Sequence, residues 1–125
     1  MLEHVSVPVS DFKKSKKLYD AMLKPLGYKV KYQFSGACGY MEGGHTSLWI
    51  GEKGKKVMPI HVAFLAKSKS AVQKFYEAAR KAGARDNGGP GFRTDYGDDY
   101  YAAFVYDFDG NNIEACYFGE KAPKK

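Results

Sequence analysis

Cysteine is scarce in this chain. Cys38 and Cys116 are its only two, far apart and outside any CxxC spacing. That excludes a disulfide framework, and it suits a reducing compartment. Long apolar runs are missing as well: none approaches the roughly 20 residues that a membrane-spanning helix needs. The opening MLEHVSVPVSDFKK has no basic segment leading into an apolar stretch, so no secretory signal is expected. Together these absences give the expectation of a cytoplasmic protein without a membrane partner.

What is present is ordinary for a folded domain. Of 125 residues, 44% are hydrophobic and 27% charged, too apolar for disorder and too short for two domains. The net charge of +6 raises nucleic acid as a partner. The lysines are dispersed, however. Lys13, Lys14, Lys16 and Lys17 fall on the outer side of a helix, Lys53, Lys55 and Lys56 in a turn, and Lys121, Lys124 and Lys125 in a tail. Lysines so placed solvate a surface, so nucleic acid ranks last among partners, while the positive field still draws small anions.

Apolar periodicity divides the chain into alternating strands and helices. Residues 2–9 alternate as a strand, and Ser10 or Asp11 can cap the helix that follows. Phe12, Tyr19, Met22, Leu23 and Leu26 share one face of that helix, and Gly27 ends it. Strands are expected at 28–34, 37–41 and 46–50, closed by the turn Gly51-Glu52-Lys53-Gly54. The pattern then restarts. Residues 59–66 form a strand, and Ser68 or Ser70 caps a helix with Val72, Phe75, Tyr76, Ala79 and Ala82 inward. Residues 85–99 are loop-like, with room for a short edge strand and a mobile rim at 87–91. A hairpin of 100–107 and 111–118 turns at Asp109-Gly110, a two-residue turn signal.

The two halves match at an offset of 57 residues, which lays His4-Val5 on His61-Val62 and Leu18-Tyr19 on Phe75-Tyr76. Such self-similarity marks a duplicated supersecondary unit. The expected architecture is α+β: two tandem βαβββ modules, at about 1–54 and 57–119, forming one curved mixed sheet, with 120–125 as a basic tail.

The segments HVSVPVSDFKKSKKLYDAMLKPLGY, HVAF and YYAAFVYDFDGNNIEA resemble the vicinal oxygen chelate superfamily of glyoxalases, bleomycin-resistance proteins and dioxygenases over nearly the whole chain. Phe108 stands where such proteins commonly have proline. The resemblance implies a metalloenzyme or binding protein for small molecules, commonly a homodimer.

Strand parity sends His4, His61 and Glu114 to the inner face of the sheet. Two imidazoles and a carboxylate with open positions suit a divalent metal, whose chemistry is Lewis-acid polarisation of a substrate oxygen. The resemblance implies Fe, Mn, Zn or Ni at these positions, with Glu114 catalytic. Taken singly, His4 could be an ordinary histidine and Glu114 a salt-bridge partner. The repeat makes Trp49 the counterpart of Glu114, a place where glyoxalase I enzymes carry a carboxylate. An indole cannot ligate, so glyoxalase I chemistry is not expected, and Trp49 is read as a wall that stacks on a planar substrate.

Residues 93–101 are expected to form the substrate-facing rim. Arg93 offers a planar fork for a carboxylate or phosphonate, and Tyr96 and Tyr100 add hydroxyl donors. The alternative pairs Arg93 with Asp95, Asp98 or Asp99. Related small members often read R-P-H-Y where this chain has Arg93-Thr94-Asp95-Tyr96. The functional expectation is a metal-dependent enzyme on a small oxygenated, anionic substrate, as a lyase, dioxygenase or transferase. Its alternative is a metal-free sequestering protein of the bleomycin-resistance type.

Overall fold

The computed structural model describes residues 1–124, so the last residue of the basic tail, Lys125, lies outside it. The first unit comprises β1 (Val5–Val9), α1 (Phe12–Leu23), β2 (Lys29–Phe34), β3 (Ala37–Glu42) and β4 (His45–Glu52). The second comprises β5 (His61–Leu65), α2 (Lys69–Lys81), the short strands β6 (Arg85–Asp86) and β7 (Gly91–Phe92), β8 (Tyr100–Tyr106) and β9 (Asn112–Phe118). Each unit makes one sheet. The strand orders are β1-β4-β3-β2 and β5-β9-β8-β6, with β7 also paired to β8. The expected α+β class is what the chain adopts, among the described residues as two sheets and two α-helices with no closed barrel. No helix among the described residues is long and apolar enough to cross a membrane.

Local chemistry explains the boundaries. Asp11 caps α1 by accepting from the backbone N–H of Lys14, and Ser68 caps α2 by accepting from that of Ala71. Pro25 cannot continue an α-helix, so α1 passes into a 3-10 turn over Lys24–Leu26 and stops at Gly27 in the left-handed region. Leu18, Tyr19, Met22 and Leu23 of α1 and Val72, Phe75 and Ala79 of α2 are buried against the sheets' inner-layer residues Val7, Val9, Ile50, Val105 and Ile113. β4 runs through Gly51 and Glu52 instead of turning there, because both pair with β1.

The register carries the duplication into space. Val5 pairs with Leu48 and Ser6 with Trp49, while Val62 pairs with Ile113 and Ala63 with Glu114. Trp49 and Glu114 therefore occupy equivalent places. The open face of the second sheet presents His61, Ala63 and Leu65 from β5, Glu114, Cys116 and Phe118 from β9, and Tyr100, Ala102 and Phe104 from β8. At the far side of the first sheet, β2 is an outer edge strand exposed along all its residues, with a register shift between Val30 and Tyr32.

The β8–β9 connection is not the expected two-residue turn. It spans residues 107–111, closed by Asp107 N–H donating to the Asn111 carbonyl at 3.1 Å. The buried Asp107 carboxylate accepts from Tyr19 Oη at 2.6 Å, from Asn111 Nδ2 at 2.9 Å, and from the N–H groups of Asp109 and Asn111, both at 2.9 Å. Fully buried Asn111 also donates to the Pro8 carbonyl and accepts from the Ile60 N–H. The turn thus ties β1 and α1 of the first unit to the second. The reciprocal tie joins Lys67, past the end of β5, to Glu42 at 3.2 Å.

Candidate functional site

Glu114 lies on the open face of β9 and is only 2% exposed. Its Oε1 meets His61 Nε2 at 2.8 Å, and its Oε2 accepts from the Tyr100 hydroxyl. β5, β9 and β8 are neighbours in that order, so the three side chains form a row across three strands. Burial, and then the bond to Glu114, push the Tyr100 hydroxyl well above its ordinary pKa. Tyr100 therefore acts as a donor that fixes the carboxylate, not as a base near neutrality. Burial, followed by the Glu114 charge, likewise raises the pKa of the Cys116 thiol.

His61 and Glu114 are suited in type and spacing to one divalent ion. Ligand bonds of about 2.0–2.2 Å put adjacent donors roughly 3 Å apart, close to the 2.8 Å seen here. The third expected ligand does not join them within one chain. His4 is exposed, its Nδ1 at 2.5 Å from Glu3 Oε1, and no group of three His, Cys, Asp or Glu side chains converges among the described residues. His4 and His61 do line one cleft of about 300 Å³ between the N-terminal part of the first unit and β5. His4 also borders a second hollow with Tyr32, His45 and Trp49.

Trp49 lies across Gly39, where a Cβ would stand 2.9 Å from the indole. Its ring is nearly parallel to Tyr32 (centroids 5.8 Å apart) and Phe34 (6.1 Å). The first unit thus carries an aromatic row of Trp49, Tyr32 and Phe34, with Trp49 at the place that Glu114 holds in the second. Tyr32 and Phe34 alternate with Lys31 and Gln33 along β2, a period-two signal that could have grouped them with Trp49.

Arg93 makes no ion pair with Asp95, Asp98 or Asp99; Asp98 instead meets Lys121 at 3.7 Å. The Arg93 guanidinium donates to the carbonyls of Gly91 (2.8 Å) and Gly89 (2.7 Å) and lies 5.3 Å from the centre of the Phe104 ring. Phe104 pairs with Glu114 across β8 and β9, so the cation borders the carboxylate's face of the sheet. Exposed Tyr96 packs edge-on against Tyr100. Residues 87–91 are stitched to the sheet, not a loose rim: Asn87 N–H donates to the Phe104 carbonyl at 3.0 Å, and Phe104 N–H to that of Gly88 at 2.8 Å.

Phe104 is the site residue that sequence reasoning missed. It lies two residues along β8 from Ala102 and four from Tyr100, opposite Glu114, so the period-two alternation that starts from Tyr100 could have found it.

A fold of paired βαβββ units with a His–Glu pair on the open sheet defines a class, and comparison with known proteins agrees. Residues 1–115 match the model of the Glyoxalase/Bleomycin resistance protein/Dioxygenase superfamily. The chain belongs to that superfamily. It is similar to a glyoxalase/bleomycin resistance protein from Albidiferax ferrireducens T118, with 30% identity, TM-score 0.83, and coverage of 95% of this chain and 99% of that one. In fold it also resembles a fosfomycin resistance protein from Listeria monocytogenes, solved with Mn(II) and 1S,2S-dihydroxypropylphosphonic acid (18% identity, TM-score 0.66, 93% and 88% coverage). A glyoxalase-related enzyme from Fulvimarina pelagi shares 13% identity at TM-score 0.72, over 94% and 87% of the two chains. No curated protein matches the sequence.

Proposed function

We propose that this protein is a metal-dependent enzyme of the superfamily, acting on a small oxygenated, anionic substrate in a cytoplasmic setting. Its ion is held by His61 and Glu114 of one chain and by His4 of a second copy in a homodimer. The observation that carries the reading is the buried Glu114 carboxylate, with one oxygen on His61 and the other on Tyr100. When bound, the ion supplies Lewis-acid polarisation of substrate oxygens. Tyr100 keeps Glu114 oriented, Arg93 captures the substrate's anionic group, and the aromatic row of Trp49, Tyr32 and Phe34 excludes water from a flat substrate surface. Tyr96, at the outer rim beside Tyr100, adds a hydroxyl to the substrate's entry. The Listeria protein's pairing of a divalent ion with an oxygenated phosphonate is the chemistry these residues suit. Lyase, dioxygenase and transferase reactions all draw on that chemistry; glyoxalase I activity is not expected, since the place equivalent to Glu114 holds Trp49.

A second copy is invoked because the open face is apolar and uncovered. Tyr32 is 46% exposed, Phe34 60%, Leu65 69% and Phe118 47%, large apolar side chains of the kind that association surfaces carry. Closed twofold association is the commonest way to cover such a face.

Elemental analysis tests the metal. Protein purified without chelator or affinity metal should carry about one divalent ion per chain, and His61→Ala should lose most of it, because two ligands rarely hold a labile ion. A wild type that stays metal-free after incubation with Fe(II), Mn(II), Zn(II) and Ni(II) would favour the second reading. In that reading the protein is a sequestering module whose aromatic row does the binding, and the row itself is what favours it. A further expectation concerns Arg93→Ala. It should weaken binding of an anionic ligand by roughly tenfold, about 1.4 kcal/mol, with ion content and thermal midpoint nearly unchanged. Equal affinity in calorimetric titration would remove Arg93 from the site.

A further inference from the structure

We propose that residues 87–91 are a collar that positions Arg93, holding its guanidinium as a preformed receptor for an oxyanion; this rests on the reading of Arg93 as the anion anchor. The two groups that fix the guanidinium are the carbonyls of Gly89 and Gly91. Neutral acceptors orient a cation without cancelling its charge, whereas a carboxylate in their place would do both. A guanidinium has five N–H donors in a rigid fork. Two are spent on the collar, which leaves three and the full positive charge for a ligand.

The collar's composition follows from its contact with the cation. A Cβ at Gly91 would stand 3.2 Å from Arg93 Nη1, and one at Gly88 would stand 3.0 Å from Nη2. Gly88 also has φ of +135°, a conformation that only glycine adopts readily. Pro90 lies between the two accepting residues and disfavours the α region at Gly89, which narrows the orientations open to the Gly89 carbonyl. The loop is anchored in turn. Gly88 N–H donates to Asp86 Oδ1, which also accepts from the Tyr76 hydroxyl of α2, both at 2.9 Å. The Phe104 ring beneath the guanidinium closes the arrangement. A segment with the glycine content of a flexible linker is thereby a rigid mount, and its glycines are there for clearance as well as for turning.

The experiment is a double-mutant cycle read by titration of inorganic phosphate into the full-length protein, monitored by NMR. Gly91→Ala places its methyl against Nη1 and, its chain neighbours aside, meets no other atom within 4 Å, so it tests the mount with little risk to the fold. Gly91→Ala should weaken phosphate binding roughly fivefold or more, as small displacements of positioning groups do. In the Arg93→Ala background the same change should have no further effect, because coupled residues are not additive. Divalent-ion content should be unchanged in all variants. If Arg93→Ala weakens phosphate binding and Gly91→Ala does not, the collar is overturned and the anchor stands. If Gly91→Ala weakens binding equally with and without Arg93, the collar is overturned too, since its effect would not pass through the cation. If Arg93→Ala binds like wild type, or wild type shows no saturable binding, the anchor and the collar fall together.

Discussion

Two inactive chains should restore a metal site when combined. His4→Ala and His61→Ala each remove one proposed ligand, and each homodimer should bind little metal. In a mixed dimer, one composite site collects both lesions, and the other keeps an intact His4 from one chain with an intact His61 and Glu114 from its partner. Isolated by two affinity tags that do not bind metal, the mixed dimer should carry about one divalent ion, against about two for wild type, as twofold exchange of equivalent surfaces requires. Light scattering at micromolar concentration provides the precondition, a mass of two chains. A monomeric mass, or a mixed dimer as empty as its parents, would remove His4 of the second copy from the site. The expectation arises from an asymmetry within one chain: His61 and Glu114 meet at 2.8 Å while His4 turns to Glu3.

The sequence made the architecture legible because duplication writes each element twice. The offset of 57 aligned Ser6 with Ala63, and the register pairs those residues with Trp49 and Glu114. Strand parity alone grouped Glu114 with His61. It could not say whether His4 completes that group within one chain, since parity states which face a residue occupies and not which faces meet. The Asp109-Gly110 signal misled for a physical reason. The Asp107 carboxylate bonds the backbone inside the turn and makes a longer loop more stable than the tight one. Tyr19, 88 residues away in sequence, completes that carboxylate's environment, a contact that no local pattern encodes. Arg93 is legible in the sequence as an arginine in a long loop, either an anion anchor or a partner of Asp95, Asp98 or Asp99, but its restraint by Gly89 and Gly91 depends on backbone geometry beyond residue type.

The largest stability effect is expected at Asp107. Asp107→Ala leaves the hydroxyl of Tyr19, the amide of Asn111 and two backbone N–H groups without their acceptor in a buried turn. Hydrogen bonds to a charged group contribute about 1.5–3 kcal/mol each and do not simply add, so a loss of about 3–4 kcal/mol in denaturant unfolding is expected. Against a total of about 5–15 kcal/mol, that is a large share. Asp109→Ala provides the contrast. Its side chain accepts one bond, from Ser10 N–H at 3.0 Å in a partly buried position, and should cost about 1 kcal/mol. Equal effects at the two positions would show that the turn is held by its backbone alone and not by the buried carboxylate.

The outer strand β2 gives the chain's positive charge a use unrelated to any ligand. Its free edge offers unpaired backbone groups that a foreign strand could join, and Tyr32 and Phe34 would make such a union adhesive. Lys29 and Lys31 flank Val30 on that edge, and the register shift between Val30 and Tyr32 bends it out of plane, two devices that discourage sheet-to-sheet growth. Two of the chain's cations, Lys29 and Lys31, thereby serve colloidal safety. Concentrated salt, which screens those ammonium groups to within a few ångströms, takes half of that protection away and leaves the bend to act alone.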